Sequence, residues 1–187
     1  IKVVDALART LLTDETIDLP SRDIALSADG ALLYSLNRNG TISAIDTATG
    51  AVTLQKPINT DAVATRRLAL SPDGQHLFVT LFYPGQSKVA VYDAGTLTLT
   101  TTLGLSDLPN GVAVSNDGSV VYVGGANGGL AIIDAATTTL IGTAQGVSSN
   151  TVADVVISPD GQHVYVVDTA SDRVIDLVVT PGPASLS

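Results

Sequence analysis

Apolar residues in this chain come in short runs broken by tight turns, and the runs recur at a fixed interval. Four turns align: Ser27-Ala28-Asp29-Gly30, Ser71-Pro72-Asp73-Gly74, Ser115-Asn116-Asp117-Gly118 and Ser158-Pro159-Asp160-Gly161. Their aspartates lie 44, 44 and 43 residues apart. An apolar run precedes each turn (Ile24 to Leu26, Leu68 to Leu70, Val112 to Val114, Val155 to Ile157). An aromatic follows each Asp five residues on, at Tyr34, Phe78, Tyr122 and Tyr165. Further along, each unit carries a second apolar stretch closing on an acid: Ile42 to Asp46, Val89 to Asp93, Leu130 to Asp134 and Val174 to Asp176. Three of these lead through a Thr-rich or Gly-containing turn into another strand-like run, so the pattern predicts four short strands per unit.

A period near 44 residues with four strands per unit predicts an all-β fold of β-propeller blades, because one such sheet cannot bury both faces and must stack on its neighbours around an axis. The repeat divides residues 1–179 into units of about 20–63, 64–107, 108–150 and 151–179, with 1–19 as the end of a preceding blade and 180–187 as a tail or linker. Val3, Val4, Leu7, Leu11 and Leu12 fall near a helical period. The repeat overrules that, since Val3-Val4-Asp5 aligns with Ala44-Ile45-Asp46. The expected architecture is three whole four-stranded antiparallel blades plus partial blades at both ends. Pro181 and Pro183 lack a backbone donor and are not expected to extend a sheet. With an outermost strand missing at one end and present at the other, terminal strands are expected to complete one another.

The residues resemble the YVTN-type propeller repeats of bacterial and archaeal surface-layer-like proteins. The resemblance rests on Ser158-Pro159-Asp160-Gly161 with Tyr165-Val166-Val167, and on Ile45-Asp46-Thr47-Ala48-Thr49-Gly50. Phe78-Val79-Thr80 and Tyr122-Val123 stand nearest the namesake tetrapeptide, which no unit spells. The resemblance implies a seven-bladed ring, in which four sheets are an arc. The chain is therefore expected to be either the C-terminal part of a longer propeller or half of a two-chain, homodimeric ring of eight blades, the former favoured by the third strand present at both ends.

Composition narrows the partners. The chain has 187 residues, 45% hydrophobic and only 14% charged, with 18 acids against 9 Lys and Arg for a formal charge of -9. No basic stripe of the kind phosphate backbones require is present, so nucleic acid is not expected. No apolar run reaches the roughly 18 residues of a membrane span. With no Cys there is no disulfide, thiolate metal site or Cys nucleophile. The chain starts at Ile1-Lys2-Val3 without Met or a signal-peptide pattern, and the N-terminus is read as cut.

The residues that suggest chemistry are absorbed by the repeat. Seventeen of the 18 acids are Asp and the only Glu is Glu15, whereas calcium loops place acids at alternate positions and end in a bidentate Glu. Each turn Asp is expected to bond backbone amides while its Gly supplies positive φ. Asp5, Asp46, Asp93, Asp134 and Asp176 are expected to cap the turn after the third strand. His76 and His163 occupy equivalent places on different blades, without the acid and nucleophile that catalysis needs. Gly124 to Gly129 lacks the Lys of a phosphate loop, and no G-x-S-x-G occurs. No cofactor, metal or catalytic residue is expected.

The loops that vary are those between the second and third strands and between blades, and variation on a rigid scaffold is where recognition resides. Residues just before the innermost strands should ring the channel mouth: Arg22, Asp23, Arg66, Arg67, Asn110 and Asp154. Tyr83 in the longest loop is the candidate exposed aromatic contact, and Arg173 begins the last third strand. The expected function is a non-catalytic binding or structural module of a secreted or cell-surface protein, with the periplasm as an alternative, recognising a protein or glycan through this face. The rival reading is part of a propeller enzyme of lactonase or dehydrogenase type, acting at the channel mouth or in further blades. A purely architectural array is the third.

Overall fold

A computed structural model of the protein describes residues 4–5, 7, 10–11, 20–58, 64–82, 84–126, 129–144, 146–147, 151–180 and 185–186. Among them there is no helix, hence none long and apolar enough to cross a membrane. An N-terminal hairpin, β1 (Val4–Asp5) and β2 (Thr10–Leu11), forms a two-stranded sheet of its own. Of the residues with a helical period at the start of the chain, Val4 and Leu11 pair with each other as strands.

Four antiparallel sheets follow, each in plain sequential order. The first holds β3 (Ser21–Leu26), β4 (Leu32–Asn37), β5 (Thr41–Asp46) and β6 (Val52–Pro57). The second holds β7 (Ala64–Leu70), β8 (His76–Phe82), β9 (Ser87–Asp93) and β10 (Thr98–Leu105). The third holds β11 (Asp107–Val114), β12 (Val120–Ala126), β13 (Gly129–Asp134) and β14 (Thr139–Ala144). The fourth holds β15 (Val152–Ile157), β16 (His163–Asp168), β17 (Arg173–Thr180) and β18 (Ser185–Leu186). The inner strands touch in succession, β3 with β7, β7 with β11 and β11 with β15, as propeller blades do around an axis.

The aspartate turns explain why each unit folds locally. In all four, the Ser hydroxyl donates to the Asp Oδ1 at 2.5 to 2.6 Å and accepts the N–H five residues on. The same Asp Oδ1 accepts the N–H two residues ahead at 3.0 Å. Gly30, Gly74, Gly118 and Gly161 take φ of 72 to 75°, a region that favours glycine. Asp46, Asp93 and Asp134 cap the next turn, each accepting the N–H and hydroxyl of the Thr three residues on.

Packing occurs at three seams. Tyr34, Leu36 and Ile42 of the first sheet meet Leu68, Leu77, Val79 and Leu81 of the second. Phe78, Val89 and Val91 then meet Val112, Val121 and Ala131 of the third. Tyr122, Leu130 and Ile132 meet Val155, Val164 and Val166 of the fourth. Each fully buried side chain of this size contributes about 1.5–3 kcal/mol. Glycines let the last two sheets approach closely: a Cβ on Gly124 would lie 2.3 Å from Val152 Cγ1, and one on Gly111 would lie 2.8 Å from the Val155 amide nitrogen.

Three expectations need correction. The tail does add a strand, since β18 pairs with the end of β17 through Val179↔Leu186 and Thr180↔Ser185; both residues follow Pro183, so neither pairing residue lacks a donor. The N-terminal hairpin consequently does not complete the fourth sheet. Asp176 is not a turn cap. Register pairs His163 with Val178 and Tyr165 with Asp176, whereas His76 pairs with Asp93 and Phe78 with Val91. Asp176 therefore stands two residues short of the turn, on the face where Ala44, Val91 and Ile132 stand in the other sheets, and its Oδ1 lies 2.8 Å from His163 Nδ1.

Tyr165 also departs from its equivalents. Tyr34, Phe78 and Tyr122 are each covered by the next sheet, but Tyr165 is 36% exposed and stacks on His163 at 5.9 Å. Val156, Val167, Val174 and Val178 are exposed beside it. This face of the fourth sheet has the pattern of a seam without an opposing sheet.

Candidate functional site

The inner strands run toward the Ser-x-Asp-Gly turns, so one end of the arc is built of those turns and the other of the variable loops. At the loop end every inner strand slips register at the same place: between Ser21 and Asp23, Thr65 and Leu68, Asp107 and Gly111, and Val152 and Asp154. Such bulges re-aim side chains. Arg22, Arg66, Asn110 and Ala153 share this bulge position, five residues before the turn serine, and Asp23, Arg67, Gly111 and Asp154 share the next.

Asp23, Arg67 and Asp154 are brought together electrostatically around the axis. Asp23 Oδ2 accepts the Leu68 amide N–H at 2.8 Å, tying the first sheet to the second. Burial pushes the Asp23 carboxyl up from its ordinary range and the Asp154 charge adds to that, against the opposing Leu68 and Ile24 N–H groups and the Arg67 charge. The Arg67 N–H donates to Thr80 Oγ1 at 3.0 Å. Asp154 is exposed and accepts its neighbour Val155 N–H. Arg22 and Arg173 are exposed, Asn110 is half-buried, and Arg66 is placed by its backbone alone. Tyr83 lies outside the described residues.

Several polar residues at this end escaped sequence reasoning. Ser21, Ser35, Asn37, Ser43 and Gln55 form a continuous hydrogen-bond chain across all four strands of the first sheet. Ser35, Asn37 and Ser43 are fully buried. They stand where the second sheet has Val79, Leu81 and Ala90, so a position-by-position comparison of units carries the signal. Asp168 is also buried and holds its loop through Thr151, Ala170 and Ser171. Arg38 and Lys56, both exposed, and Lys88, half-buried, are further loop-end cations.

At the opposite end, a groove of about 290 Å³ opens between the second and third sheets, lined by Asp73, His76, Phe78, Thr101, Asp117 and Ala135 among others. His76 Nδ1 is buried there with no hydrogen-bond partner among the described residues. Asp73 and Asp117 are committed to their turns. Among the described residues no three His, Cys, Asp or Glu converge to hold a metal ion.

No family model and no curated protein matches the chain. Its structure resembles the β-propeller domain of Cps50 (Swd1) from Myceliophteria thermophila, with a TM-score of 0.76 and 16% identity over 99% of this chain and 62% of that one. It also resembles hydrazine synthase of Kuenenia stuttgartiensis, with a TM-score of 0.64 and 24% identity over 87% of this chain and 50% of that one. The chain thus spans half to three-fifths of the structures it matches, and the fold is that of β-propeller blades. At such identities the likeness defines architecture, which hosts many unrelated functions.

Proposed function

We propose that the chain is a non-catalytic binding or structural module of a secreted or cell-surface protein, and that it recognises a protein or glycan through the loop end of its blades. The observation that carries this reading is the gathering of the cations at one end of the blades. Between residues 20 and 180 all seven cations, Arg22, Arg38, Lys56, Arg66, Arg67, Lys88 and Arg173, belong to the loop ends of strands. The seven turn aspartates at the other end are committed to their own turns. The turn chemistry and the surface-layer resemblance of the repeats support the YVTN-type assignment and the extracellular placement.

Arrays of acidic and neutral glycans and acidic peptides test this, with hits remeasured by calorimetry. Arg22→Gln and Arg173→Gln should weaken a true ligand while Gln162→Ala at the turn end should not. A ligand that responds only to turn-end changes, or the absence of any ligand, overturns the reading. The bare face of the fourth sheet supports completion of the ring by a second copy or by the remainder of a longer propeller. A solution mass of twice the chain would identify the former.

A second reading, catalysis at the channel mouth, draws on one observation, the raised Asp23 carboxyl beside Arg67 and Asp154. Lactone turnover abolished by Asp23→Asn would favour it.

A further inference from the structure

The loop-end cations are not evenly distributed. Arg22, Arg38, Lys56 and Arg173 are exposed and make no ion pair among the described residues. Three of these four lie on the first sheet. The loop ends of the third and fourth sheets carry Asp107, Asp154, Asp168 and Asp172. Among the described residues the first sheet has only Asp23 there, half-buried and turned to the Leu68 N–H. The chain's acids at the far end matter little to this row, because charges beyond a Debye length of about 8–10 Å are screened.

The fold sets the spacing of the row. Arg22 is on β3, Arg38 is in the turn between β4 and β5, and Lys56 is on β6 beside Ile42 of β5. Strands lie about 4.8 Å apart, so the turn stands roughly one and a half spacings, or about 7 Å, from both β3 and β6. An extended peptide presents same-side residues every ~6.7 Å. The buried Ser35-Asn37-Ser43 chain fixes the β4–β5 hairpin beneath, with Asn37 Nδ2 donating to Thr41 Oγ1 and Thr41 Oγ1 to Asn39 Oδ1.

We infer that the loop end of the first sheet binds an extended acidic peptide segment with carboxylates on alternate residues, which pair in turn with Arg22, Arg38 and Lys56. This rests on the loop-end binding proposed above and names its ligand chemistry. Arginine suits it, because a guanidinium meets a carboxylate in two parallel hydrogen bonds. The pitch of the row, about 7 Å against ~6.7 Å, suits a strand-like peptide.

The test is fluorescence anisotropy of the full chain with a labelled peptide alternating Asp and Ser. The competitors are a peptide of the same composition with its acids in one block and a uronate oligosaccharide of equal charge. The alternating peptide should bind tighter than either. Arg22→Gln, Arg38→Gln and Lys56→Gln should each weaken it about twofold to fivefold and the triple variant by at least about tenfold, as exposed ion pairs do. Gln162→Ala at the turn end should leave it unchanged, and raising salt from about 0.1 M to 1 M should abolish it. Equal or tighter binding of either competitor, an unaffected triple variant, or no binding at about 1 mM overturns the proposal. If a different ligand from the arrays is still lost in Arg22→Gln, the alternating-acid proposal alone falls; if nothing binds, both fall.

Discussion

Gly111→Ala should destabilise this protein, although replacing a strand glycine by alanine ordinarily helps or is neutral. The gain comes from the unfolded chain, which loses freedom worth about 0.4–1 kcal/mol. Against it stands the seam between the third and fourth sheets, where the new Cβ would lie 2.8 Å from Val155 N, 2.9 Å from Val155 Cγ2 and 3.0 Å from the Asp154 carbonyl carbon. Ordinary contacts between heavy atoms are about 3.5–4.0 Å. The nearest atom is backbone, held in β15 by pairing with β16, so no rotamer change relieves the clash and the sheets must separate. Overpacking of this kind costs about 1–3 kcal/mol, and with unyielding backbone as the nearest contact the upper half of that range applies, leaving a net loss of about 1–2.5 kcal/mol. In a chain of this size that lowers the melting temperature by about 2–10 °C. Gly104→Ala is the control, because its Cβ would meet nothing within 4 Å. Circular dichroism melts of both variants decide the matter. A Gly111→Ala protein as stable as the parent, or a Gly104→Ala protein equally damaged, refutes the close-seam account.

Tyr122 and Tyr165 occupy the same blade position, 3% and 36% exposed. Tyr122→Ala should cost about 3–5 kcal/mol in urea unfolding, and Tyr165→Ala much less. Asn37→Leu should cost about 1–3 kcal/mol by taking one hydrogen-bond partner from each of the buried hydroxyls of Ser35 and Ser43, which keep only Ser21 and Gln55; the triple change Ser35→Val, Asn37→Leu, Ser43→Ala, which copies the second sheet, should recover much of that. The turn aspartates hold their carboxyls below the ordinary range, Asp117 down to about 2 through the Ser115 hydroxyl first and the Ser119 N–H and hydroxyl next. A lowered folded pKa gives stability that is present above pH ~4 and lost as pH falls toward 2, so melts should drop across that window and Asp117→Asn should flatten the drop.

The sheets were legible from the sequence because Ser-x-Asp-Gly turns are local: hydroxyl, carboxylate and glycine lie within four residues and bond one another wherever the chain goes. The aromatics after them were equally legible as seam residues for Tyr34, Phe78 and Tyr122. Asp176 was misread because an Asp ending an apolar stretch looks the same whether it faces a turn or a sheet face, and only strand register separates the two. The tail strand was missed because its prolines precede, and do not include, the two residues that pair. At the loop end, Arg22, Asp23 and Asp154 were found by position within the repeat. The Ser35-Asn37-Ser43 chain was overlooked because polar residues replace aliphatic ones without altering the alternation that marks a strand.

The bare face of the fourth sheet gives the molecule a weak end. The second and third sheets are gripped on both sides, whereas the fourth is held on one side only, by the third sheet. In stacked repeats cohesion is shared between nearest neighbours, so amides of β16 and β17 should exchange with deuterium ahead of those in β8 and β12. Opening would then start at that end and travel inward one blade at a time, like a zip with a single free slider.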